Sequence, residues 1–406
     1  MSGRTERARL VPAPDSRFVL PRRSSGVLDP DERELALGHA RALLERPTAP
    51  YFEDGPLAVV RAFARGREGF ELEEDEHANL LVRWKGSRRL AKGEAPLAFS
   101  AHLDHPAFHA EGGALARLHG GVPARFLPGA ALRFFAPGAD EASATARIGR
   151  VVRDAEEAGV RVRLADVRGS LRAGMFGVFD LTPGRIVRGR LEARVCDDLM
   201  GAAAILAVLE LCARARTERP VLGVFTRAEE TGFVGCLGLM KSGLLPAGAR
   251  VVGLECSPRR ATARVGRGPV IRAGDKQSIF DPELTLEVEE AARALELRTP
   301  GFRWQRALMD GGSCESTVYN HHGTRAAGVC LALGNYHNCG PRGRIAPEFV
   351  DWHDYECLVA LLREVARGFG QGDPRAKIGA RLQRIWEREY NLLETSSNRL
   401  RRGRSR

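Results

Sequence analysis

The spacing of apolar residues predicts alternating helices and strands over most of the chain. Apolar positions recur at helical spacing up to about residue 46, and Asp29 or Asp31 can cap this first helix. Short apolar runs at 79–84 and 96–103 predict strands, and the second is apolar enough to be buried. Further along, the pattern predicts helices at 198–213, 233–243, 281–296, 351–368 and 374–392, and strands at 220–226, 250–256 and 325–333. Such alternation indicates an α/β sandwich with a largely buried sheet.

The segment 106–193 has a different pattern. It contains many glycines and short β-like runs such as 161–167 and 175–181, with few helical periods. This pattern predicts a small inserted β-rich domain. We therefore divide the chain into an Arg/Pro-rich N-terminal segment expected to be poorly ordered, a catalytic domain in two pieces, the inserted domain, and a basic tail: 1–27, 28–105 with 194–392, 106–193, and 393–406.

The net charge of +11 over 406 residues lies mainly at the two ends of the chain. Residues 1–25 carry six Arg against Glu6 and Asp15, or +4, and residues 399–406 carry five Arg, or +5. The remainder is 11 − 4 − 5 = +2. A nucleic-acid interface concentrates charge on one folded surface, so solvated tails are favoured and a nucleic-acid partner is not expected.

Membrane and disulfide-rich classes are also disfavoured. The longest apolar run, 201–212, contains Glu210 and is shorter than the roughly 18–20 residues of a membrane span. The N-terminus lacks the apolar core of a secretion signal, so we expect a cytoplasmic protein with no membrane partner. All eight cysteines lie at or beyond Cys196 without a CxxC pair, which argues against a disulfide framework or a zinc ribbon.

Five short polar stretches carry the candidate chemistry, and most of them lie at the ends of apolar strands. They are 101–104, 196–198, 228–231, 254–256 and 335–338. Open α/β sheets build their sites at strand ends, and buried carboxylates are costly unless they are paired or bind a cation. Two imidazoles with several carboxylates form the ligand set of a site for two divalent metals. One such stretch alone is weak evidence, but five in order are hard to explain by chance.

With these motifs the chain resembles the tetrahedral (TET-type) dinuclear-metal aminopeptidases, the glutamyl aminopeptidase family (metallopeptidase family 42) of the zinc exopeptidase clan. The resemblance covers roughly 30–370, and its most specific pieces are HLD at 102–104, CDDLMG at 196–201, FTRAEETGFVG at 225–235, GRGPVIRAGD at 266–275 and the histidine of YHN. It implies a three-layer sandwich with a mixed, mostly parallel central sheet. It also implies that the β-rich insertion is the family's second domain.

The resemblance also assigns the site. Asp197 would bridge two divalent metals, for which Zn is expected and Co or Mn are alternatives. Glu229 would be the general base, and the remaining ligands would be His102 and Glu255 for one metal and Glu230 and His337 for the other. Asp104 would accept the N–H of His102 and fix its tautomer.

Three departures from the family pattern concern substrate binding and ligand spacing. His105 stands where the family has an acidic residue, and it is an extra ligand, a substrate contact or, as we favour, a surface imidazole. Glu255 stands where relatives more often have Asp. The family's Gly-Gly-Thr-Asp-Ala loop, which borders the substrate pocket, is here Gly311, Gly312, Ser313, Cys314 and Glu315, so the substrate preference is left open.

We therefore predict a metal-dependent aminopeptidase that hydrolyses N-terminal residues from peptides through a two-metal-activated water. The alternatives are a related two-metal amidohydrolase, carboxypeptidase-like or deacylating, and a non-catalytic scaffold or nucleic-acid-binding protein. A homo-oligomer is expected, because the insertion has more apolar residues than a small domain easily buries, and some of them are expected to face a partner: Phe126, Leu127, Leu132, Phe134, Phe135, Met175, Phe176, Val178 and Phe179. A dimer is favoured over a dodecamer, because the Arg-rich ends could obstruct higher assembly.

Overall fold

A mixed eight-stranded sheet lies at the centre of the computed structural model, which describes residues 17–21, 26–152, 159–371, 373 and 375–403. Across the sheet the strands are β1 (Phe70–Glu74), β2 (Leu80–Trp84), β12 (Val221–Thr226), β3 (Leu97–His102), β13 (Arg250–Pro258), β16 (Arg325–Leu333), β14 (Val270–Gly274) and β15 (Gln305–Leu308). The four neighbours β12, β3, β13 and β16 run parallel, as do β14 and β15, and the other pairs are antiparallel. The predicted mixed α/β architecture is confirmed.

Helices cover both faces of this sheet because its strands are apolar on both sides. On β12, Val221 and Phe225 belong to one core cluster, whereas Leu222 and Val224 belong to another. The first cluster is formed with α1 (Pro30–Leu44), α2 (Asp54–Ala64), α3 (Leu199–Arg214), α5 (Pro282–Arg298) and α7 (Trp352–Gly368). The second is formed with α4 (Val234–Ser242) and α6 (Glu315–His321). Asp29 caps α1 through a 2.9 Å hydrogen bond from the backbone N of Glu32, as the sequence predicts.

The β-rich insertion forms a closed six-stranded barrel. Its strands, in barrel order, are β4 (Ala107–Gly112), β5 (Leu115–His119), β8 (Val160–Gly169), β7 (Ala144–Val152), β6 (Ala131–Phe135) and β9 (Phe176–Phe179). Eight of the nine apolar residues expected to exceed the capacity of this unit are buried within the chain, and Phe126 is partly buried. Closing the sheet gives five of them a core of their own, and Phe135, Phe176 and Val178 pack in a separate cluster with Ala49 and Phe52 of the catalytic part. The expectation that they face a partner is therefore wrong.

A separate three-stranded sheet pairs the segment that follows the barrel with the strand that directly precedes α7. It contains β10 (Arg185–Val187), β11 (Arg190–Ala193) and β17 (Glu348–Asp351), with β11 antiparallel to both neighbours. The barrel thus ends at Phe179; β10 pairs with β11, and β11 pairs with the later strand β17. The chain leaves the main sheet after His102 and re-enters it at β12, and Asp197 lies between β11 and α3.

Both predicted terminal segments are partly structured. Phe18 is buried, and the carbonyl of Arg17 accepts a hydrogen bond from the backbone N of Ile186; the rest of the predicted N-terminal segment, 1–16 and 22–25, lies outside the described residues. At the other end α8 (Ala376–Gly403) continues past 392 through most of the predicted basic tail as one helix with largely exposed side chains. None of the described helices combines the length and apolar character needed to cross a bilayer.

Candidate metal centre

The topology brings the predicted ligands to one edge of the sheet. His102 is the last residue of β3, and Glu255 lies in the second half of β13. Glu229 and Glu230 lie in a single 3-10 turn after β12, and His337 lies in another after β16. Because β12, β3, β13 and β16 are parallel neighbours, their carboxyl ends converge at this edge.

The ligand atoms form two triads that share one residue. His102, Asp197 and Glu255 offer atoms within 4.8 Å of one another, and so do Asp197, Glu230 and His337. Asp197 Oδ1 lies 3.5 Å from His102 Nε2, and Asp197 Oδ2 lies 3.6 Å from His337 Nε2. Each oxygen of the Asp197 carboxylate therefore faces one triad, which is the arrangement that a metal-bridging carboxylate requires.

Several of these ligand atoms are buried without a hydrogen bond. His102 Nε2, Glu230 Oε1 and His337 Nε2 have no hydrogen-bond partner among the described residues. His337 Nε2 and Glu230 Oε1 lie 3.1 Å apart without hydrogen-bond geometry. Leaving buried polar atoms unpaired is costly, and imidazole nitrogens and carboxylate oxygens are the donors that divalent transition metals prefer. The residues present thus fit a divalent metal in each triad.

Backbone carbonyls fix the tautomers of both histidines. His102 Nδ1 lies 3.2 Å from the backbone O of Asp104, and His337 Nδ1 lies 2.8 Å from the backbone O of Gly121 in the insertion. Since a carbonyl only accepts, each Nδ1 carries the proton and each Nε2 is left free to bind a metal. The carbonyl of Asp104 accepts this hydrogen bond, and its carboxylate Oδ1 lies 3.5 Å from the same His102 Nδ1, so the expected role of the Asp104 carboxylate toward His102 stays a prediction.

The Asp104 carboxylate also holds the turn that carries the two glutamates. Its Oδ1 accepts from the backbone N of Glu229 at 2.9 Å, and its Oδ2 accepts from that of Glu230 at 3.1 Å. Glu53, which the sequence did not single out, accepts from the backbone N of Ala228 at 3.0 Å and from Arg227 Nε at 2.8 Å. Burial, and then the Asp104 charge, raises the pKa of Glu53 to about 7.

The site contains more buried carboxyl groups than cationic groups to balance them. Burial raises the pKa of Glu229 well above its usual value, and the neighbouring carboxylate of Glu230 adds to the shift. Burial also raises the pKa of Glu255, and Asp197 raises it further. Asp197 differs: burial pushes its pKa up, but the His102 and His337 imidazoles beside its two oxygens outweigh burial and lower it. Cations in the two triads would remove the repulsion among these carboxylates.

Of the residues predicted to border the substrate pocket at 311–315, some line a cavity and Glu315 lies elsewhere. Gly311, Gly312 and Ser313 line a small cavity beside Glu255, whose other walls are Ser257, Pro258, Arg260, Arg272, Met309 and Tyr336. Glu315 does not line it, because as the first residue of α6 it is buried near Ser100, whose hydroxyl lies 3.3 Å away.

The favoured interpretation of His105 is wrong. His105 is 2% exposed, and its ring nitrogens lie 2.9 Å from the backbone O of Asp197 and 3.1 Å from Asn338 Oδ1. Both nitrogens are therefore engaged, so the ring supports the ligand loops and has no free nitrogen for a metal. The adjacent histidines His321 and His322 are exposed at the end of α6, away from both triads.

Comparison with known proteins agrees with this geometry. Residues 158–345 match the family model of the M42 glutamyl aminopeptidases. No curated protein sequence matches the chain. The fold matches a TET aminopeptidase from the archaeon Thaumarchaeota archaeon SCGC AB-539-E09 with a TM-score of 0.67, at 14% identity over 83% of this chain and 97% of that one.

Two further archaeal structures are similar. The aminopeptidase APDkam598 of Desulfurococcus kamchatkensis has a TM-score of 0.66 at 18% identity, covering 84% of this chain and 96% of that one. The Pyrococcus horikoshii TET1 peptidase, which can assemble into a tetrahedron or a large octahedral shell, has a TM-score of 0.64 at 17% identity, covering 82% and 99%. At these identities the structures show a shared fold.

Fold, ligand geometry and family match together define the class: the chain is a metal-dependent peptidase. More particularly, the predicted resemblance to the M42 aminopeptidases is confirmed.

Proposed function

We propose that the chain is an aminopeptidase with two divalent metals, held by His102, Asp197 and Glu255 and by Asp197, Glu230 and His337. The single observation that carries this proposal is the pair of triads sharing Asp197, in which three buried ligand atoms have no hydrogen-bond partner in the part of the chain that the structure describes. Two cations bound there would supply Lewis acidity to the scissile carbonyl and to the attacking water. Zinc fits the mixed imidazole and carboxylate donors, and Co²⁺ or Mn²⁺ would fit as well.

Glu229 is the proposed proton carrier. It lies outside both triads, yet its Oε2 is 4.0 Å from His102 Nε2, and the Asp104 carboxylate holds its backbone. A carboxylate beside the attacking water can take its proton and deliver it to the leaving amine. The raised pKa of Glu229 means that the side chain retains a proton readily unless cations are nearby.

The small cavity beside Glu255, about 20 Å³, marks the proposed position of the N-terminal side chain, which would have to widen it on binding. It contains Arg260 and the buried Arg272, whose Nε and Nη1 have no hydrogen-bond partner among the described residues. The Arg272 guanidinium lies over the Phe280 ring, and a buried guanidinium with two N–H groups left without a described partner favours an anionic guest. Together with the family description, glutamyl aminopeptidase, these arginines support an acidic residue at the cleaved end.

We also infer the predicted three-layer sandwich with an inserted second domain, and a homo-oligomer. Helices on both faces of the sheet and the barrel between His102 and Asp197 support the first inference. The second is supported by structural neighbours, one of which is a PhTET1 dodecamer.

The test is hydrolysis of a panel of free and N-blocked peptides by the metal-loaded protein, with Glu229→Gln as the variant. We expect cleavage of free N-termini only, and a rate about 10²–10⁴-fold lower in the variant with its metal content unchanged. Cleavage of N-blocked substrates would instead favour the deacylating alternative. Near-normal turnover by Glu229→Gln would show that Glu229 is not the base.

A further inference from the structure

Glu348 joins the two loops that carry the metal ligands Asp197 and His337. It is the first residue of β17, and its side chain is fully buried. β17 pairs with β11 so that Glu348 lies opposite Ala193, a few residues before Asp197. On its other side Phe349 exchanges backbone hydrogen bonds of 2.9 Å and 3.1 Å with Gly334, a few residues before His337. The strand thus lies between the two segments that lead into the site.

The two oxygens of the Glu348 carboxylate divide between these segments. Oε2 accepts from the backbone N of Cys196 at 2.7 Å and from that of Asp197 at 3.2 Å. Oε1 accepts from the backbone N of His337 at 2.8 Å. Both oxygens are therefore occupied by backbone donors, and Glu348 belongs to neither triad.

The loop of His337 needs such support. Asn335, His337 and Asn338 all have left-handed backbone conformations, with φ of 55°, 52° and 59°. Non-glycine residues adopt this region at a cost and persist there only where surrounding contacts hold them. The carboxylate of Glu348 supplies one of these contacts at His337 itself.

We propose that Glu348 is a positioning residue that sets the separation of Asp197 and His337 by accepting hydrogen bonds from both backbones. This inference rests on the proposed ligand set. Asp104 acts in the same way on Glu229 and Glu230, so two buried carboxylates outside the triads hold backbone amides of three ligands and the base. Partners outside the ligand shell commonly orient ligands, and their loss weakens metal binding.

Glu348→Gln tests the proposal, because glutamine keeps the volume but presents an amide N–H₂ to one set of backbone donors. The matched control is Asp354→Asn: Asp354 is also buried and accepts from the backbone N of Gly266 and of Gly268, each at 2.6 Å, in the loop before β14. Zinc binding to the chelator-treated proteins is measured by calorimetry. The visible spectrum of the Co²⁺-loaded proteins reports the coordination geometry.

We expect Glu348→Gln to weaken the metal of the Asp197, Glu230 and His337 triad by roughly 10–100-fold and to alter the Co²⁺ spectrum. Asp354→Asn should lower the melting temperature but keep both affinities and the spectrum. Unchanged zinc affinities and an unchanged spectrum in Glu348→Gln would overturn the proposal. A wild-type chain that binds fewer than two metals would instead overturn the ligand set, and the inference with it.

Glu348→Asp keeps the proposal testable if Glu348→Gln does not fold. Aspartate keeps the charge but is one methylene too short to reach both segments. The same weakened metal and altered spectrum are expected in this variant, and wild-type values in it would overturn the proposal.

Discussion

Replacing Glu315 measures how much the ionisation of this buried carboxyl group lowers the free energy of unfolding. Its side chain is 5% exposed, the Ser100 hydroxyl lies 3.3 Å away, and its Oε1 has no hydrogen-bond partner among the described residues. Burial raises the pKa of Glu315 from 4.5 to about 7. Replacing it with glutamine keeps the shape and removes the titration.

The expected change in the free energy of unfolding follows from the linkage between folding and the protonation of Glu315. Between about pH 4.5 and 7 the folded chain keeps a proton on Glu315 that the unfolded chain has released, so the free energy of unfolding falls as the pH rises. A shift of this size corresponds to roughly 3 kcal/mol at about 1.4 kcal/mol per pKa unit. Glu315→Gln lacks this loss, so its stability relative to wild type should rise by up to about 3 kcal/mol between pH 4 and pH 8.

The assay is urea unfolding of the metal-free wild type and Glu315→Gln at a series of pH values. Glu68→Gln, which changes an exposed glutamate, is the control and should follow the wild type throughout. A constant difference between Glu315→Gln and wild type across this range would refute the reasoning, because it would mean that Glu315 ionises equally in the folded and unfolded chain.

Three further predictions concern the site and the assembly. Asp197→Asn should lose both metals, and elemental analysis that still finds one tightly bound metal would contradict the bridging role. Arg272→Met should reduce the preference for N-terminal Glu over Leu by roughly 10–100-fold in kcat/KM, and an unchanged ratio would exclude Arg272 from side-chain recognition. Light scattering at micromolar concentration should give a multiple of 44.3 kDa, and a clean monomer mass would refute the homo-oligomer.

Most of the main helices and strands, and the motifs that hold the candidate metal ligands, could be predicted from the amino-acid sequence. Apolar periodicity predicts α1, α3, β12, β13, β16 and α7 near their observed bounds because these segments bury continuous apolar faces. Segments with weaker patterns, such as β1 and β15, were not predicted: both have mixed burial at the sheet edges. The order of the motifs and their position at strand ends pointed to the residues of both triads. The carboxyl ends of parallel neighbouring strands lie at the same edge of a sheet even when the strands are far apart in sequence.

The contacts that hold these residues in place could not be predicted, because they join segments far apart in the sequence. Asp104 is two residues from His102, yet its carboxylate binds the backbone of a turn more than a hundred residues away. In the sequence His105 cannot be distinguished from a surface histidine, because its partners, the backbone O of Asp197 and the side chain of Asn338, lie far away along the chain. Glu53 and Glu348 carry no sequence signal, because their partners are backbone amides, which every residue except proline provides. Which amides a buried carboxylate meets depends on strand pairing and loop closure across the whole chain, and local patterns do not encode that.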